Sequence, residues 1–304
     1  MRRSSEKVIK DLFEFYGTLG RPLTFIELSI RTVSDEVTYD ELIQFLEVGL
    51  GSGKIITEDG FYWSREFKLS SIGRRAQDLF LDEKWKKLES LSRWFRHVPF
   101  FDFVMANGSM AFGNVNANSD FDVLTGVRKG RIFTARYFSS ALFSILRARR
   151  LDDLQESSPD KLCFNHFITI DAYMKPPFNY YRHELYRNMV PLWYSDLSCK
   201  EFIVKNGWSG LRASVLLDLH RVIEQKSLFA IFLEKILGGW LGDFVEKQIS
   251  KPIAMRRLNV YLSNKSTGNS EEEGITIGDN ELEFHFSLKN EKRFGHLDAN
   301  KSLQ

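Results

Sequence analysis

Two short segments carry the residue types that could act on a nucleotide phosphate. Gly108 and Ser109 form a small turn, and Asp120 and Asp122 follow after ten intervening residues. In a strand, side chains two residues apart project from the same face, so the two carboxylates would lie close together. They could then share Mg²⁺, which prefers oxygen ligands and often combines one or two carboxylates with substrate phosphates. Gly108 lets a phosphate approach the backbone closely, and Ser109 adds a hydroxyl donor.

The same residue types are also good turn formers. Gly108 with Ser109, and the run 118–120, would suit capped turns that have no chemical role. Against that reading, two aspartates on a strand as apolar as residues 121–124 need a nearby cation, because neighbouring like charges disfavour ionisation. The residues therefore favour a metal site, and the structural alternative stays open.

Taken together, the two segments resemble a motif of the DNA polymerase beta-like nucleotidyltransferase superfamily. The resemblance rests on residues 105–109 (Met-Ala-Asn-Gly-Ser) and 119–123 (Ser-Asp-Phe-Asp-Val), at the spacing of its minimal members. It implies an α+β fold with a mixed sheet and flanking helices, and Mg²⁺, with Mn²⁺ as an alternative, held by Asp120 and Asp122. It also implies an NTP bound near Gly108, Ser109 and Ser119, and transfer of a nucleoside monophosphate to a hydroxyl. The acceptor, whether protein, RNA or small molecule, is left open.

The resemblance also implies a third carboxylate on a neighbouring strand, where it completes the metal site and activates the acceptor hydroxyl. The candidate strand runs from Leu162 to Asp171. Asp171 and Asn165 compete for the position, and at about 3.3 Å per residue they lie roughly 20 Å apart, so both cannot serve one metal. We predict Asp171 as the third catalytic residue. If Asn165 takes the position instead, catalysis is weakened or lost. His166 is expected to be a packed strand histidine.

Positive charge is concentrated just after the aspartates. Residues 126–150 contain seven cations and no acid. Arg128, Lys129 and Arg131 come first, and we predict that they contact the triphosphate or a nucleic-acid acceptor. The last three cations of the run fall at the C-terminus of a predicted helix, where the helix dipole favours positive charge without any ligand.

Hydrophobic patterning predicts the elements that position these residues. Strands are expected at 101–105, 121–124, 161–170 and 282–286, and a helix at 134–149. The remainder to about residue 262 reads as mainly helical, and 264–280 as a polar loop. Three tryptophans are expected to anchor the packing of this C-terminal region: Trp193, Trp208 and Trp240.

Residues 6–75 read as three short helices followed by a hairpin. Thr38 and Glu41 form a capping box at the start of the third helix, and Asp59-Gly60 is a strong hairpin signal. This order resembles a winged helix-turn-helix.

The residue types of that third helix argue against a role in binding duplex DNA. Residues 38–50 include Asp40, Glu41 and Glu47 and no Lys or Arg, so this face would repel phosphates. We expect the module to pack against the catalytic unit or a protein partner, and to position an acceptor or a partner.

These signals divide the chain into four parts. The predicted units are a winged-helix-like module, a connecting helix, the nucleotidyltransferase core and a mainly helical C-terminal region that ends in a strand. Their bounds are 1–75, 76–97, 98–178 and 179–304.

Composition is that of a soluble globular protein. Of 304 residues, 43% are hydrophobic and 27% are charged, and a net charge of +2 argues against electrostatic nucleic-acid binding by the whole chain. Cys163 and Cys199 form no Cys-x-x-Cys pair and are expected to be buried and reduced, as in a cytoplasmic protein. The charged residues within 227–245 indicate a buried helix rather than a membrane span, and no membrane partner is expected.

Three functions follow, in order of support. The first is a Mg²⁺-dependent nucleotidyltransferase. The second is a catalytically reduced nucleotide-binding regulator or sensor. The third is a winged-helix transcription regulator, which the acidic third helix disfavours.

Overall fold

Side-chain caps determine where the helices of the N-terminal unit begin. Thr24 and Glu27 form a capping box at the second helix, and Thr38 and Glu41 form the predicted one at the third. In each box the threonine hydroxyl accepts from the glutamate N–H, and the glutamate carboxylate accepts from the threonine N–H. The elements of this unit are α1 Ser5–Thr18, β1 Leu23–Thr24, α2 Phe25–Thr32, α3 Tyr39–Gly51, β2 Ile55–Glu58 and β3 Phe61–Ser64.

The predicted hairpin is confirmed between β2 and β3. Asp59 and Gly60 have φ of 52° and 81°, the positive values that a two-residue type I′ turn requires. Strand β1, which was not predicted, pairs with β3 and completes a three-stranded antiparallel sheet. The long connecting helix, α4, then spans Ser71–Ser92.

A mixed six-stranded sheet forms the centre of the molecule. In this computed structural model, which describes residues 4–33, 37–150, 158–174, 180–195, 198–207, 225–256, 273–287 and 293–297, its order is β7-β4-β5-β6-β9-β8. Only β5 and β6 are parallel; the other neighbours are antiparallel. The strands are β4 Phe101–Ala106, β5 Phe121–Val127, β6 Leu162–Ile168, β7 Val190–Tyr194, β8 Glu273–Ile277 and β9 Glu281–Ser287.

The α+β class and four of these strands agree with the sequence predictions, and two strands correct them. Strand β7 lies where mainly helix was predicted, and β8 lies within the predicted loop 264–280. Each pairs with a strand already in the sheet, β7 with β4 and β8 with β9, and such pairing overrides a weak local signal. Residues 264–272 of that predicted loop lie outside the described part of the chain.

Helices cover the sheet and extend beyond it. The predicted helix 134–149 begins earlier and ends at Ile145, because Arg147 adopts a left-handed conformation with φ of 53°. Including it, the helices are α5 Gly108–Phe112, α6 Ile132–Ile145, α7 Tyr180–Arg187, α8 Ser198–Lys205, α9 Leu228–Leu237 and α10 Trp240–Phe244, which continues as a π-helix over Val245–Ser250.

The tryptophan predictions have mixed outcomes. Trp193 is 1% exposed and packs within the core, as predicted. Trp240 is 80% exposed, so the prediction that it anchors packing is wrong. Trp208 lies outside the described residues.

Two apolar cores lie on the two faces of the sheet. One core contains Val104, Phe121 and Phe143, and so joins α6 to the sheet. The other contains Phe15 of α1 together with Phe103 of β4 and Tyr180 of α7, so the N-terminal unit packs directly against the opposite face. Strands from both sides of residue 178, the predicted boundary between the core and the C-terminal region, belong to the same sheet. That domain boundary stays a prediction.

Within the residues described above, none of the helices combines the length and apolarity needed to span a membrane.

Candidate functional site

The start of β5 presents the two aspartates on one face of the sheet. Asp120 immediately precedes the strand and Asp122 is its second residue. Phe121 and Val123, which alternate with them, are fully buried in the core beneath α6. The alternation of a strand therefore leaves both carboxylates half-buried on the other face, as the sequence predicted.

Gly108 brings the glycine-serine turn into contact with Asp122. It begins α5 with φ of 60°, a left-handed conformation that favours glycine. A Cβ at this position would collide with Oδ2 of Asp122. The N–H of Asn107 donates to the backbone carbonyl of Asp122 at 2.9 Å, which holds the turn beside the strand.

The N–H of Gly108 has a partner within the turn. It donates to Oδ1 of Asn107 at 2.9 Å. Gly108 therefore contributes to the site through the close approach of its backbone to Asp122. Ser109 follows it in the first turn of α5.

The loop before β5 is held by a buried lysine of α4. Lys84 Nζ donates to the carbonyl of Ser119 at 2.6 Å and to Oδ1 of Asp160 at 2.9 Å. Burial would raise the pKa of Asp160, but hydrogen bonds from Lys87 and Lys84 outweigh it and lower that pKa below its usual value. The Ser119 hydroxyl accepts from the N–H of Asn116 at 3.0 Å, so Ser119 has a structural role in this loop.

Strand β6 supplies the groups that face the aspartates. In the parallel register Cys163 lies opposite Asp122. Asn165 Nδ2 donates to Oδ1 of Asp122 at 2.8 Å. Asp120 and Asp122 each have a carboxylate oxygen, and Cys163 has its Sγ, within 4.8 Å of one another. These three atoms are close enough to share one ion.

Two of the three groups in this cluster suit Mg²⁺ or Mn²⁺, whereas the Cys163 thiol is a soft ligand that these ions do not prefer. Asp120 and Asp122 offer hard oxygen ligands of the kind that Mg²⁺ and Mn²⁺ prefer. Asn165 Oδ1 is buried, and it has no hydrogen-bond partner among the residues that the structure describes. A buried carbonyl oxygen without a partner is costly, and either a bound water or a cation would satisfy it.

The structure corrects the prediction of Asp171 as the third acid of this site. Asp171 lies in a 3-10 turn beyond the end of β6, whereas Asp122 pairs near the start of β6. Its carboxylate is paired with Lys129 at 2.7 Å. Asn165, the alternative, occupies the position beside Asp122.

The predicted triphosphate cations also lie elsewhere. Arg128, Lys129 and Arg131 follow the end of β5, about 20 Å along the strand from Asp122. Their carboxylate partners, at 2.9, 2.7 and 2.6 Å, are Glu234, Asp171 and Asp243 respectively. The prediction that these three cations serve the same site as the aspartates is therefore corrected: they connect the end of β5 to neighbouring segments.

A different cation of the same run reaches the site. Arg150 Nη1 lies 2.9 Å from Oδ2 of Asp120. The backbone of residues 148–150 runs beside the start of β6, with the Arg150 N–H donating to the Leu162 carbonyl at 3.1 Å. The sequence placed Arg150 at the C-terminus of a predicted helix. Its membership of the run of seven cations was the only sequence signal for a role at this site.

A second cluster lies farther along β6. His166 Nε2 is 2.9 Å from Oε1 of Glu281, and Nδ1 is 3.7 Å from Oε1 of Glu283. Arg182 also approaches Glu283, at 3.5 Å. The burial of His166 agrees with the expectation of a packed histidine. Its two glutamate neighbours come from β9, a strand whose pairing with β6 the sequence did not predict.

Comparisons with known proteins add no relative. No protein-family model, no curated protein and no solved structure matches this chain.

Proposed function

We propose that this chain is a Mg²⁺-dependent nucleotidyltransferase of the DNA polymerase beta-like superfamily. One observation carries the proposal: Gly108 packs against Asp122, so the two halves of the motif, distant in sequence, form one site. Asp120 and Asp122 lie side by side there, as the motif requires. The mixed sheet, with the turn between β4 and β5 and a helix after β5, is compatible with that fold.

Each residue has a defined part in this proposal. Asp120 and Asp122 would hold the ion, and Ser109 would donate its hydroxyl to a phosphate oxygen. When bound, Mg²⁺ supplies neutralisation of the triphosphate and orients the leaving pyrophosphate. Asn165 orients the Asp122 carboxylate through the 2.8 Å hydrogen bond.

The reaction forms one bond and breaks one. The acceptor oxygen bonds to the α-phosphorus, and the bond from that phosphorus to the bridging oxygen breaks, releasing pyrophosphate. The hydroxyl proton passes to solvent, because the amide of Asn165 is no base. Phosphoryl transfer depends chiefly on positioning and charge stabilisation, so two aspartates can support it without a third acid.

The test is transfer of label from each of the four α-labelled NTPs, with Mg²⁺, to protein, RNA and small-molecule acceptors. We expect Asp120→Asn with Asp122→Asn to abolish transfer, since both metal-binding charges are removed. Asp171→Asn is the matched control and should transfer at the wild-type rate. Transfer that survives the double substitution would exclude the mechanism.

A second candidate function is favoured by Asn165. An amide at the position where the superfamily usually has an acid supports a catalytically reduced protein that binds nucleotide as a regulator or sensor. Calorimetry that detects NTP binding without turnover would distinguish it from the enzyme. In that case Asn165→Asp should create or increase transfer.

The N-terminal unit belongs to the proposal as a winged helix with no role in duplex DNA binding. Its three helices and hairpin follow the winged-helix order, and Asp40, Glu41 and Glu47 are exposed on α3. These acids disfavour contact with DNA phosphates, and hence the third function, a transcription regulator. A cytoplasmic location is part of the proposal, with support from Cys163 and Cys199, which are buried and form no disulfide.

A further inference from the structure

The two helices α9 and α10 carry large apolar side chains on their outer side. Six of these residues, which together define the outer apolar face, are between 43% and 85% exposed: Leu228, Phe229, Phe232, Ile236, Trp240 and Phe244. The four on α9 lie within about 100° of one another around the helix axis, and the two on α10 are four residues apart, so each set shares one side of its helix. The sequence predicted a buried helix over 227–245, and this exposure corrects that prediction.

Two acids of the same segment point inward instead. Glu234 accepts from the N–H of Phe100 at 2.6 Å and from Nη2 of Arg128 at 2.9 Å. Glu246, in the π-helix, accepts from two N–H groups at the start of α6, at 2.9 and 2.8 Å. A surface helix of a soluble protein usually has the opposite arrangement, with its apolar side against the core. The polar contacts thus fix these helices to the protein and leave the outer apolar face uncovered.

The outer apolar face is at least as large as the largest apolar patch of a typical monomer. At roughly 150–250 Å² for each aromatic side chain, its four rings expose on the order of 500 Å², and Leu228 and Ile236 add to this area. The largest apolar patch of a typical monomeric protein is about 300–600 Å² and is often functional. The face therefore indicates a partner that removes it from water, either a protein or a membrane.

Exposed cations accompany the outer apolar face. Lys235 lies on the exposed side of α9 itself, and Lys247 and Arg256 are exposed farther along the chain. Of the residues that the structure describes, none forms an ion pair with these three cations. Asp243, the one exposed acid of residues 225–256, is already paired with an arginine at 2.6 Å.

This charge pattern favours a membrane over a second copy of the chain. A two-fold contact between copies would bring like charges together, with Lys235 inside the contact and no acid opposite it. At the surface of a bilayer, the stem of a lysine lies along the apolar boundary while its ammonium group reaches lipid phosphates. Anionic lipids attract such cations, and tryptophan, phenylalanine and leucine suit the boundary between headgroups and acyl chains.

We propose that the outer apolar face binds the surface of a membrane that contains anionic lipids. Its six side chains enter the boundary between headgroups and acyl chains, and Lys235, Lys247 and Arg256 contact the headgroups. The helices lie on the membrane and do not cross it. This proposal replaces the expectation that the chain has no membrane partner, and it does not depend on the proposed function.

The outer apolar face is fixed to the end of β5 that is remote from Asp122. Arg131, which follows β5, donates to the carbonyl of Leu237 at 2.8 Å and to those of Gly238 and Gly239 at 3.1 Å each. Asp122 is the second residue of β5, roughly 20 Å away along the strand. Membrane binding and the aspartate site can therefore be altered separately.

Cosedimentation of full-length protein with vesicles at low salt tests the proposal. Two kinds of vesicle are used, one of phosphatidylcholine with phosphatidylserine and one of phosphatidylcholine alone. Phe232→Gln with Trp240→Gln removes two exposed rings and leaves the inward-facing acids in place. Ile72→Gln with Leu79→Gln is the matched control, because these side chains are exposed to a similar degree on α4.

We expect wild type to bind both kinds of vesicle, and to bind those that contain phosphatidylserine more tightly. The substitutions of Phe232 and Trp240 should weaken this binding at least tenfold, because two rings are no longer removed from water. The control with the two α4 substitutions should bind as wild type does.

A second variant tests the charges and guards against misfolding of the first. Lys235→Gln with Lys247→Gln keeps the apolar side chains, and should weaken binding to phosphatidylserine vesicles about tenfold. The weaker binding to phosphatidylcholine alone should not change. Lys68→Gln with Lys86→Gln, which removes two exposed cations elsewhere, is the control for this variant.

The proposal is contradicted if wild type does not sediment with the phosphatidylserine vesicles. It is also contradicted if either double variant of the face, folded by circular dichroism, binds them as tightly as wild type. Sedimentation equilibrium adds one more contrary outcome: a wild-type dimer that Phe232→Gln with Trp240→Gln converts to a monomer would assign the face to a second copy. NTP binding is measured without vesicles, so failure of the proposed function would leave these results unaffected.

Discussion

At the scale of single residues, Gly108 determines whether the turn and the aspartate strand can meet. Its φ of 60° and its contact with Asp122 are separate demands, and only glycine satisfies both. The site therefore depends on a missing side chain as much as on the carboxylates.

Gly108→Ala tests that dependence. We expect it to lower the free energy of unfolding by more than the roughly 1–2 kcal/mol of a left-handed alanine, because its Cβ also displaces Asp122. Binding of Mn²⁺, measured by electron paramagnetic resonance, should be lost with it.

Gly60→Ala is the matched control for this substitution. Gly60 has φ of 81°, and a Cβ there would meet nothing within 4 Å. The alanine should cost only the backbone strain and leave Mn²⁺ binding unchanged. Equal Mn²⁺ affinity in both variants would contradict the packing role of Gly108.

The residues of the site differ in how well the sequence predicts them. Gly108, Asp120 and Asp122 are predictable because turn chemistry and strand alternation are local properties. The choice between Asn165 and Asp171 is not, because it depends on the register of β6 against β5. Arg150 was missed for the same reason: its ion pair with Asp120 exists only after the chain has folded.

At the scale of elements, an ion-pair network with two buried arginines and two partly exposed acids joins α2 to α4. Arg74 lies 2.9 Å from Glu27 and 3.0 Å from Asp78, and Arg21 approaches both acids, at 3.4 and 3.2 Å. Burial alone would raise the pKa of Glu27, but hydrogen bonding and attraction from Arg74 outweigh it and lower that pKa to about 2.

Because of this network, we expect the free energy of unfolding to depend on pH in the acid range. The folded pKa of Glu27 lies below its ordinary value of 4.5, so its stabilisation is fully present above pH 4.5. It is lost as the pH falls from 4.5 towards 2, where the folded state also takes up the proton. Chemical denaturation across this range should show the free energy of unfolding decreasing.

Glu27→Gln should flatten that decrease. At pH 7 we expect a loss on the order of 3 kcal/mol, because Arg74 and Arg21 keep their buried charges without this carboxylate. Glu47→Gln removes an exposed carboxylate of α3 and should follow the wild-type pH profile. An unchanged profile for Glu27→Gln would show that the network contributes no pH dependence.

At the scale of the whole molecule, the N-terminal unit and the sheet share one core. The Phe15 ring centroid lies 5.4 Å from that of Phe112, 5.5 Å from that of Tyr180 and 4.7 Å from that of Phe294. These partners belong to α5, α7 and the C-terminal segment, so α1 contacts elements from much of the chain.

Phe15→Ala should therefore destabilise the entire molecule. Removing a fully buried phenylalanine costs about 3–5 kcal/mol, and we expect one cooperative calorimetric transition at a lower temperature. Phe229→Ala, at a position 58% exposed, should unfold close to wild type. Two separate transitions, with only the first shifted by Phe15→Ala, would contradict a shared core.

Deletion of residues 1–70 would remove Phe15 and the rest of the N-terminal unit from the shared core, and it would uncover one face of the sheet. We therefore expect the truncated chain not to fold, so its activity would not report whether this unit positions an acceptor. The sequence predicted packing of this unit against its neighbour from the acidic α3. It did not predict β7, which forms by pairing with the distant strand β4, or β8, which pairs with the adjacent strand β9 from within a segment of polar composition.

Calorimetric titration with each of the four NTPs in Mg²⁺ tests the metal-dependent nucleotide site most directly. For the NTP that wild type binds, we expect Asp120→Asn with Asp122→Asn to weaken binding at least tenfold, about 1.4 kcal/mol, and Asp171→Asn to leave it unchanged. Undiminished binding by the double variant, loss of binding by Asp171→Asn, or no binding by wild type would contradict the account.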